Sequence, residues 1–458
     1  MFPLDAPAII TSLDPDRQRH AHRNLKEGCW WQSVHPSWAE TDERDFLDHR
    51  WQMKHSLTGM GQVLEFLGDI APPSFIDDVT AGLRSTPMAV RLTPYILSLI
   101  DWENACADPL RRQFLPVASE WEEPHPMCSL DSLHEKDDEV APGLIHRYTD
   151  KVLFLVLDVC PVYCRFCTRS YAVGSDTQEV EKDSFKPRRE RWAQGLRYLQ
   201  EHNEVEDVVL SGGDLFMLPA KHLAFLLNRL LAIKHIRRIR IATKGLAVLP
   251  QKMLSDVEWM ETLSRLSDKA RAQRVQLCIH THFNHPNEIT IQSAQAADAF
   301  FQLGVPVRNQ TVLQRDVNDD ATTMLRLIQR LSWINIQPYY VYVHDMVPNV
   351  ETLRTTLDTA NIIEREVRGA TAGFNTPTFV CDLMGGGGKR DAHSYEYYDP
   401  DSGIAVFRSP RIDPDRVFFH FDPLRDLDPE MRAALQTPKR REALMDRALD
   451  AAGISNRN

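Results

Sequence analysis

The chain has 458 residues, 43% hydrophobic and 26% charged, with a formal net charge of −11. This is an ordinary globular composition, long enough for two or three structural regions, and its acidity argues against nucleic acid as a partner because such partners select for a basic stripe. No apolar run approaches the ~20 residues that cross a bilayer, and Met1–His20 lacks a basic start followed by an apolar stretch, so no membrane partner and a cytoplasmic location are expected.

Residues 1–143 read as a helical region. Asp45 to Phe66 is rich in helix formers with mixed three- and four-residue apolar spacing, and Thr93 to Ile100 continues an apolar face after Pro94. Glu122 to Pro142 is rich in Pro, Asp and Glu and reads as a solvated connection. From residue 144 to 383 the pattern alternates. Short apolar or β-branched runs (Val152–Val159, Asp207–Leu210, Ile236–Ala242, Val275–His280, Val305–Leu313, Pro338–Val343) are separated by helical spacings (Arg188–Gln200, Leu218–Ala232, Ser255–Arg271, Glu288–Leu303, Ala321–Leu331, Glu351–Arg368). Strands buried on both faces and joined through helices imply parallel βα units. The predicted class is α/β, a partial (β/α)6 barrel with its chemistry on loops after the strand ends; an open doubly wound sheet gives the same periodicity. Residues 384–458 form a C-terminal region, with a hairpin around Asp399–Gly403 and a charged helix over Pro438–Ala452.

Eight cysteines are too sparse for a disulfide scaffold in a chain this long, and clustered cysteines in a reducing compartment read as metal ligands. Cys160, Cys164 and Cys167 lie directly after the first predicted strand of the alternating region. Three thiolates on a short loop suit three irons of a cubane and leave the fourth iron for a small chelating molecule. Structural zinc wants four closed ligands, and the neighbouring sequence offers no fourth Cys or His. Ser211-Gly212-Gly213-Asp214 ends the second strand of that region, where glycines permit close backbone approach and a carboxylate can accept from an ammonium. Gly385-Gly386-Gly387-Gly388-Lys389 fails as a phosphate loop because Leu383 and Arg390 stand where a glycine and a Ser or Thr are required. It reads either as a flexible linker or as a lysine presented on a mobile loop, able to form a Schiff base with pyridoxal phosphate.

The cysteine spacing resembles that of the radical S-adenosylmethionine superfamily. Together with the lysine loop, the chain resembles the lysine 2,3-aminomutase family across most of its length, through Trp51-Gln52, Leu92 to Tyr95, Pro142-Gly143-Leu144, His146-Arg147-Tyr148, Thr281 to Glu288 and Asn309-Gln310. The resemblance implies a [4Fe–4S] cluster on Cys160, Cys164 and Cys167, with S-adenosylmethionine near Ser211, Gly212, Gly213, Asp214 and His282. It implies pyridoxal 5′-phosphate on Lys389, near Arg147, Tyr148, Lys151 and Gln310. Arg169 matches the arginine that clamps the substrate carboxylate, and Asp345 and Asp382 match the two acids that hold the ε-ammonium of lysine. The implied reaction moves the α-amino group of a cationic L-amino acid from C2 to C3 through an external aldimine, L-lysine to β-lysine in the leading case. A small amino-acid substrate, a reductant such as flavodoxin or ferredoxin, and a homo-oligomer go with it.

A buried acid pair favours a cationic side chain, so glutamate is disfavoured while arginine and ornithine stay open. A protein-lysine mutase and a non-catalytic iron–sulfur module are further alternatives, as is a metal-binding pair of His280 and His282. The sequence departs from the family pattern at Thr243-Lys244-Gly245-Leu246 and at Thr352 to Leu357. Asp320 stands where some members carry a cysteine for an intersubunit zinc, so that zinc site is expected to be missing.

Overall fold

A computed structural model describes residues 20–454. The Met1–His20 reading therefore falls, apart from His20, outside the described residues. Among the described residues no helix is long and apolar enough to cross a membrane.

The centre is a ten-stranded sheet whose spatial order follows the chain: β1 (Glu139–Ala141), β2 (Leu144–Tyr148), β3 (Lys151–Leu157), β4 (Asp207–Gly212), β5 (Arg238–Ala242), β6 (Gln276–Thr281), β7 (Val307–Val312), β8 (Ile336–Tyr342), β9 (Thr378–Leu383) and β10 (Gly388–Asp391). Strands β3 to β9 are parallel, whereas β1, β2 and β10 pair antiparallel at the two margins. A helix lies on each crossover, at Arg189–Glu201, Ala220–Leu231, Val257–Ala272, Ile291–Gln302, Ala321–Trp333 and Leu357–Val367. Several of these helices start where side chains supply the acceptor that the first turn lacks: Asp256, Thr290, Asp320 and Thr356 each accept from a first-turn N–H. Asp320, at the position the resemblance links to zinc, thus serves as a helix cap.

The helical head is broken into short pieces. Glu43–Phe46, His49–Lys54 and Met60–Gly68 are separate helices, because Asp48 caps a new start and Gly59 begins the next. Its aromatics, among them Trp31, Phe46 and Tyr95, share one hydrophobic core with Phe154, Ile241 and Phe379 of the sheet. A second sheet, β11 (Tyr397–Asp399), β12 (Ile404–Ser409) and β13 (Asp413–Phe421), contains the expected hairpin, and the terminal helix spans Pro438–Ala451.

Two expectations change. Glu122 to Pro142 is not a solvated connection: His125, Ser132, Leu133 and Glu135 are buried, and the segment runs into β1. Lys389 is not on a mobile loop but within β10, because the glycine run is the turn of a β9–β10 hairpin that sets Lys389 directly opposite Asp382. Gly385, Gly386 and Gly388 adopt φ of +76°, +92° and +71°, which L side chains resist. A Cβ at Gly387 would lie 2.7 Å from the Phe418 ring, and one at Gly388 would lie 2.6 Å from the Tyr148 hydroxyl.

Candidate functional site

The thiolate loop leaves β3 and contains no helix or strand before Arg189. Its shape comes from partners in the helical head. Tyr163 N–H donates to the Arg91 carbonyl at 3.1 Å, and Arg165 N–H donates to Gln113 at 2.9 Å. The buried Arg165 guanidinium donates to the Arg112 carbonyl at 2.8 Å. Cys160, Cys164 and Cys167 are half-buried and close enough that Cys164 and Cys167 add to the proton affinity of Cys160, and Cys167 to that of Cys164. Burial is the larger cause and pushes all three thiols up, Cys164 to about 12. Thiols so placed ionise when a metal takes over the charge. Among the described residues no three His, Cys, Asp or Glu side chains converge on a single ion. A cubane does not ask them to, since each thiolate meets a different iron, and three soft donors on one loop fit that group.

The end of β4 packs against the start of this loop. Gly213 N–H donates to Leu157 at 2.7 Å and Asp214 N–H to Val159 at 3.0 Å, and a Cβ at Gly212 or Gly213 would strike those same backbone groups. Ser211 is buried alongside. The Asp214 carboxylate accepts from Thr243 Oγ1 at 2.6 Å and from Lys244 N–H at 2.7 Å, so it ties β4 to the turn after β5. His282, just past β6, sets its ring 5.3 Å from Phe166 of the thiolate loop and bonds Asn284 at 2.9 Å through Nε2. Burial, then the Lys244 charge, holds this imidazole neutral. His280 is turned elsewhere, 3.1 Å from Gln310 and edge-on to Tyr339, so the two histidines do not form a metal pair.

The second half of the site gathers on β2, β7, β8 and the β9–β10 hairpin. Lys389 Nζ lies 2.6 Å from Asp382 Oδ2 and 5.4 Å from the centre of the Tyr342 ring. Directly opposite residues of an antiparallel pair share a face, so the hairpin register builds this ion pair. Burial alone would favour a neutral amine, but Asp382 outweighs it and holds Lys389 firmly protonated. The Lys389 N–H donates to Tyr148 Oη at 3.0 Å, and Lys151 Nζ stands 4.0 Å over the Tyr148 ring. Arg147 donates to Asp138 at 2.6 Å and lies against the Gly386 turn. Gln310 pairs in register with Tyr340 on β8, whose ring packs beside Tyr342. An amine, aromatic walls and the cations Arg147 and Lys151 suit a planar anionic aldehyde such as pyridoxal phosphate.

Asp345 links the halves. Thr168, next to Cys167, donates its hydroxyl to Asp345 Oδ2, while Oδ1 is buried without a partner. Burial, then the nearby Asp382 charge, lifts the Asp345 carboxyl to about 7. Arg169, the residue after Thr168, is paired with Glu135.

The structure thus brings the expected residues into two connected groups, and it adds members that the motifs did not reveal. Tyr340 and Tyr342 were readable as same-face residues two apart on a strand, and Lys244 follows the end of β5, where such folds place chemistry. Lys244 bonds the buried Glu288 at 2.7 Å and the His282 carbonyl at 2.9 Å, beside the thiolate loop. Thr168 and Glu135 carried no local signal, because their partners are distant in sequence.

Soft donors for a metal–sulfur group on one loop are joined, through Thr168, Asp345 and Asp382, to an amine that can condense with a carbonyl. Fold and site define an α/β enzyme equipped for both kinds of group at once. No family model matches the chain. The L-lysine 2,3-aminomutase of Fusobacterium nucleatum is 36% identical over 349 residues, covering 76% of each chain. That of Clostridium subterminale is 35% identical over 350 residues, 76% of this chain and 79% of the relative. The glutamate 2,3-aminomutase of Clostridioides difficile is 29% identical over 348 residues, 76% of each chain. The chain belongs to the lysine 2,3-aminomutase family.

Proposed function

We propose that the protein is an amino-acid 2,3-aminomutase, an isomerase moving the α-amino group of a cationic L-amino acid from C2 to C3, with L-lysine as the leading substrate. The relatives support the reaction. The substrate class rests on one observation: Asp345 is buried beside Asp382 with its Oδ1 unpartnered, which a bound ammonium would satisfy and a carboxylate would aggravate.

Cys160, Cys164 and Cys167 would hold a [4Fe–4S] cluster, with S-adenosylmethionine beside Ser211, Gly212, Gly213 and His282. When bound, this pair supplies a carbon radical able to remove a hydrogen atom from substrate. The commitment of Asp214 to Thr243 and Lys244 favours a backbone role for that strand end over direct use of its carboxylate. Lys389 would bind pyridoxal 5′-phosphate, with Arg147, Tyr148, Lys151 and Gln310 around it; the cofactor supplies an electron sink conjugated to the migrating nitrogen. Asp345 and Asp382 orient the distal ammonium, and Arg169 orients the α-carboxylate. Fixing both ends matters because ~1 Å of misplacement can cost ~100-fold in rate.

The parallel strands β3 to β9 with their six crossover helices are read as an incomplete (β/α)6 barrel, flanked by regions 1–143 and 384–458, which lend the marginal strands β1 and β10 to the sheet. A cytoplasmic location would keep the thiols reduced, and a flavodoxin or ferredoxin would supply the electron. A homo-oligomer is proposed, without the intersubunit zinc, since Asp320 is spent as a helix cap. The deciding experiment is an anaerobic assay of reconstituted protein with a reductant and each of lysine, arginine, ornithine and glutamate. S-adenosylmethionine-dependent formation of a β-amino acid from a cationic substrate is expected. Turnover of glutamate alone, or turnover that ignores S-adenosylmethionine, would overturn the reading.

A further inference from the structure

Arg169 already has a carboxylate partner before any substrate arrives. Its Nε donates to Glu135 Oε2 at 2.9 Å and its Nη2 to Glu135 Oε1 at 2.6 Å, a bidentate pair on one side of the guanidinium. Tyr171 Oη donates to the same Oε2 at 2.9 Å. The Glu135 side chain is 7% exposed and that of Arg169 24%. Both bonds to Glu135 run through Nε and Nη2, and neither uses Nη1. A guanidinium offers carboxylates two edges, Nε with Nη2 and Nη1 with Nη2. Glu135 occupies the first and leaves the second.

The segment carrying Glu135 is itself fastened down. Asp131 accepts from the N–H of Glu135 at 2.9 Å and of Lys136 at 3.1 Å. Arg147 donates to the His134 carbonyl at 3.1 Å, and Gly385 of the lysine hairpin donates to Ser132 at 2.9 Å. Lys136 reaches Asp183 at 2.6 Å and stands over the Tyr171 ring. Held on this frame, Glu135 cannot swing aside with a side-chain rotation alone and keep its three bonds.

We infer that Glu135, locked by Tyr171, is a positioning residue for amino-acid recognition: it fixes Arg169 so that the Nη1–Nη2 edge alone meets the substrate α-carboxylate. The inference rests on the reading of Arg169 as the carboxylate clamp. Glu135 also cancels the net charge of Arg169, so the clamp discriminates by hydrogen-bond direction more than by charge. The opposite role, an internal stand-in that competes with substrate for Arg169, predicts the opposite sign.

The test compares lysine with 1,5-diaminopentane, which has the same ammonium group at the far end and no carboxylate. Reconstituted holoenzyme carrying Glu135→Gln, Tyr171→Phe or Arg169→Ala is assayed for lysine KM, kcat, inhibition by the diamine, and iron content. Glu135→Gln keeps the shape but removes the charge-assisted pair, and it should raise lysine KM about 10-fold, with a smaller rise for Tyr171→Phe. Diamine inhibition and iron content should stay unchanged. A fall in lysine KM, or equal weakening of lysine and diamine, overturns the inference. Should Arg169→Ala leave the lysine-to-diamine ratio unaltered, the clamp reading fails and Glu135 with it. A selective loss in Arg169→Ala but not in Glu135→Gln removes Glu135 alone. If Glu135→Gln does not fold, Tyr171→Phe decides by the same ratio.

Discussion

From Asp158 to Arg188 the chain has no regular element, and its thiols are placed by bonds to Arg91, Arg112 and Gln113 of the helical head. From Thr378 to Asp391 the opposite holds: a tight hairpin places Lys389 by register, with a ladder of pairs from Leu383–Gly388 to Val380–Asp391. One half of the site is shaped by distant partners, the other by its own backbone. A loop that must wrap a bulky metal group gains from irregular backbone held at several points, whereas one amine aimed at one atom gains from a rigid strand. The two halves should therefore be separable by mutation.

The largest separation should come from the thiolates. Replacing Cys160, Cys164 or Cys167 with Ala should abolish cluster iron and S-adenosylmethionine cleavage, while pyridoxal phosphate still forms its absorbing Schiff base on Lys389. Lys389→Ala should give the reverse pattern, with iron retained, no Schiff-base absorbance and activity down at least ~100-fold. Loss of both signals in either variant would show the halves to be one folding unit. Next in size is Asp345→Asn, which should raise the KM for a cationic substrate about 10-fold, the range for a buried charge-assisted contact. It should also remove a pH dependence. Burial and Asp382 raise the native Asp345 carboxyl to about 7, so the free protein carries this proton at pH 6 and loses it by pH 8. A cation binds the ionised form, and lysine KM should fall as pH rises through about 7. In the stability curve the sign is reversed. The native state holds this proton more tightly than the unfolded chain, so Asp345 costs stability as pH climbs from about 4 towards 7. Urea titrations of Asp345→Asn should lack that decline. The smallest effect is expected for Gly388→Ala, which places a Cβ at φ +71° beside the Tyr148 hydroxyl and should cost about 1–2 kcal/mol by urea unfolding. Its activity should fall through Lys389 while cluster iron is unchanged.

The same contrast explains how much could be read from residue order. Strands β3 to β8 and the first five of their helices lie within a few residues of the expected ranges, because continuous apolar runs and capping Asp or Thr residues are local signals; the sixth begins only at Leu357, after Thr356 caps it. The short margins were not legible: β10 reads Gly-Lys-Arg-Asp, with no apolar alternation, and exists because β9 pairs with it. Cys160, Cys164 and Cys167 announce themselves by spacing, and Lys389 by its glycines. Glu135 could not, since its meaning depends on Arg169, 34 residues away across three strands. An acidic, proline-rich segment looks solvated until its partner is known.

The pairing of Lys389 with Asp382 has a consequence for how the pocket ranks its visitors. In the resting protein the Lys389 ammonium answers Asp382, and burial beside Asp382 keeps Asp345 protonated below about pH 7, so the pocket is then close to balanced in charge. Any chemistry that engages the Lys389 nitrogen withdraws that ammonium and leaves Asp345 and Asp382 facing each other with nothing between them. Readiness for catalysis and demand for a positive visitor are then the same event: the step that arms the lysine also sharpens the selection for what may enter.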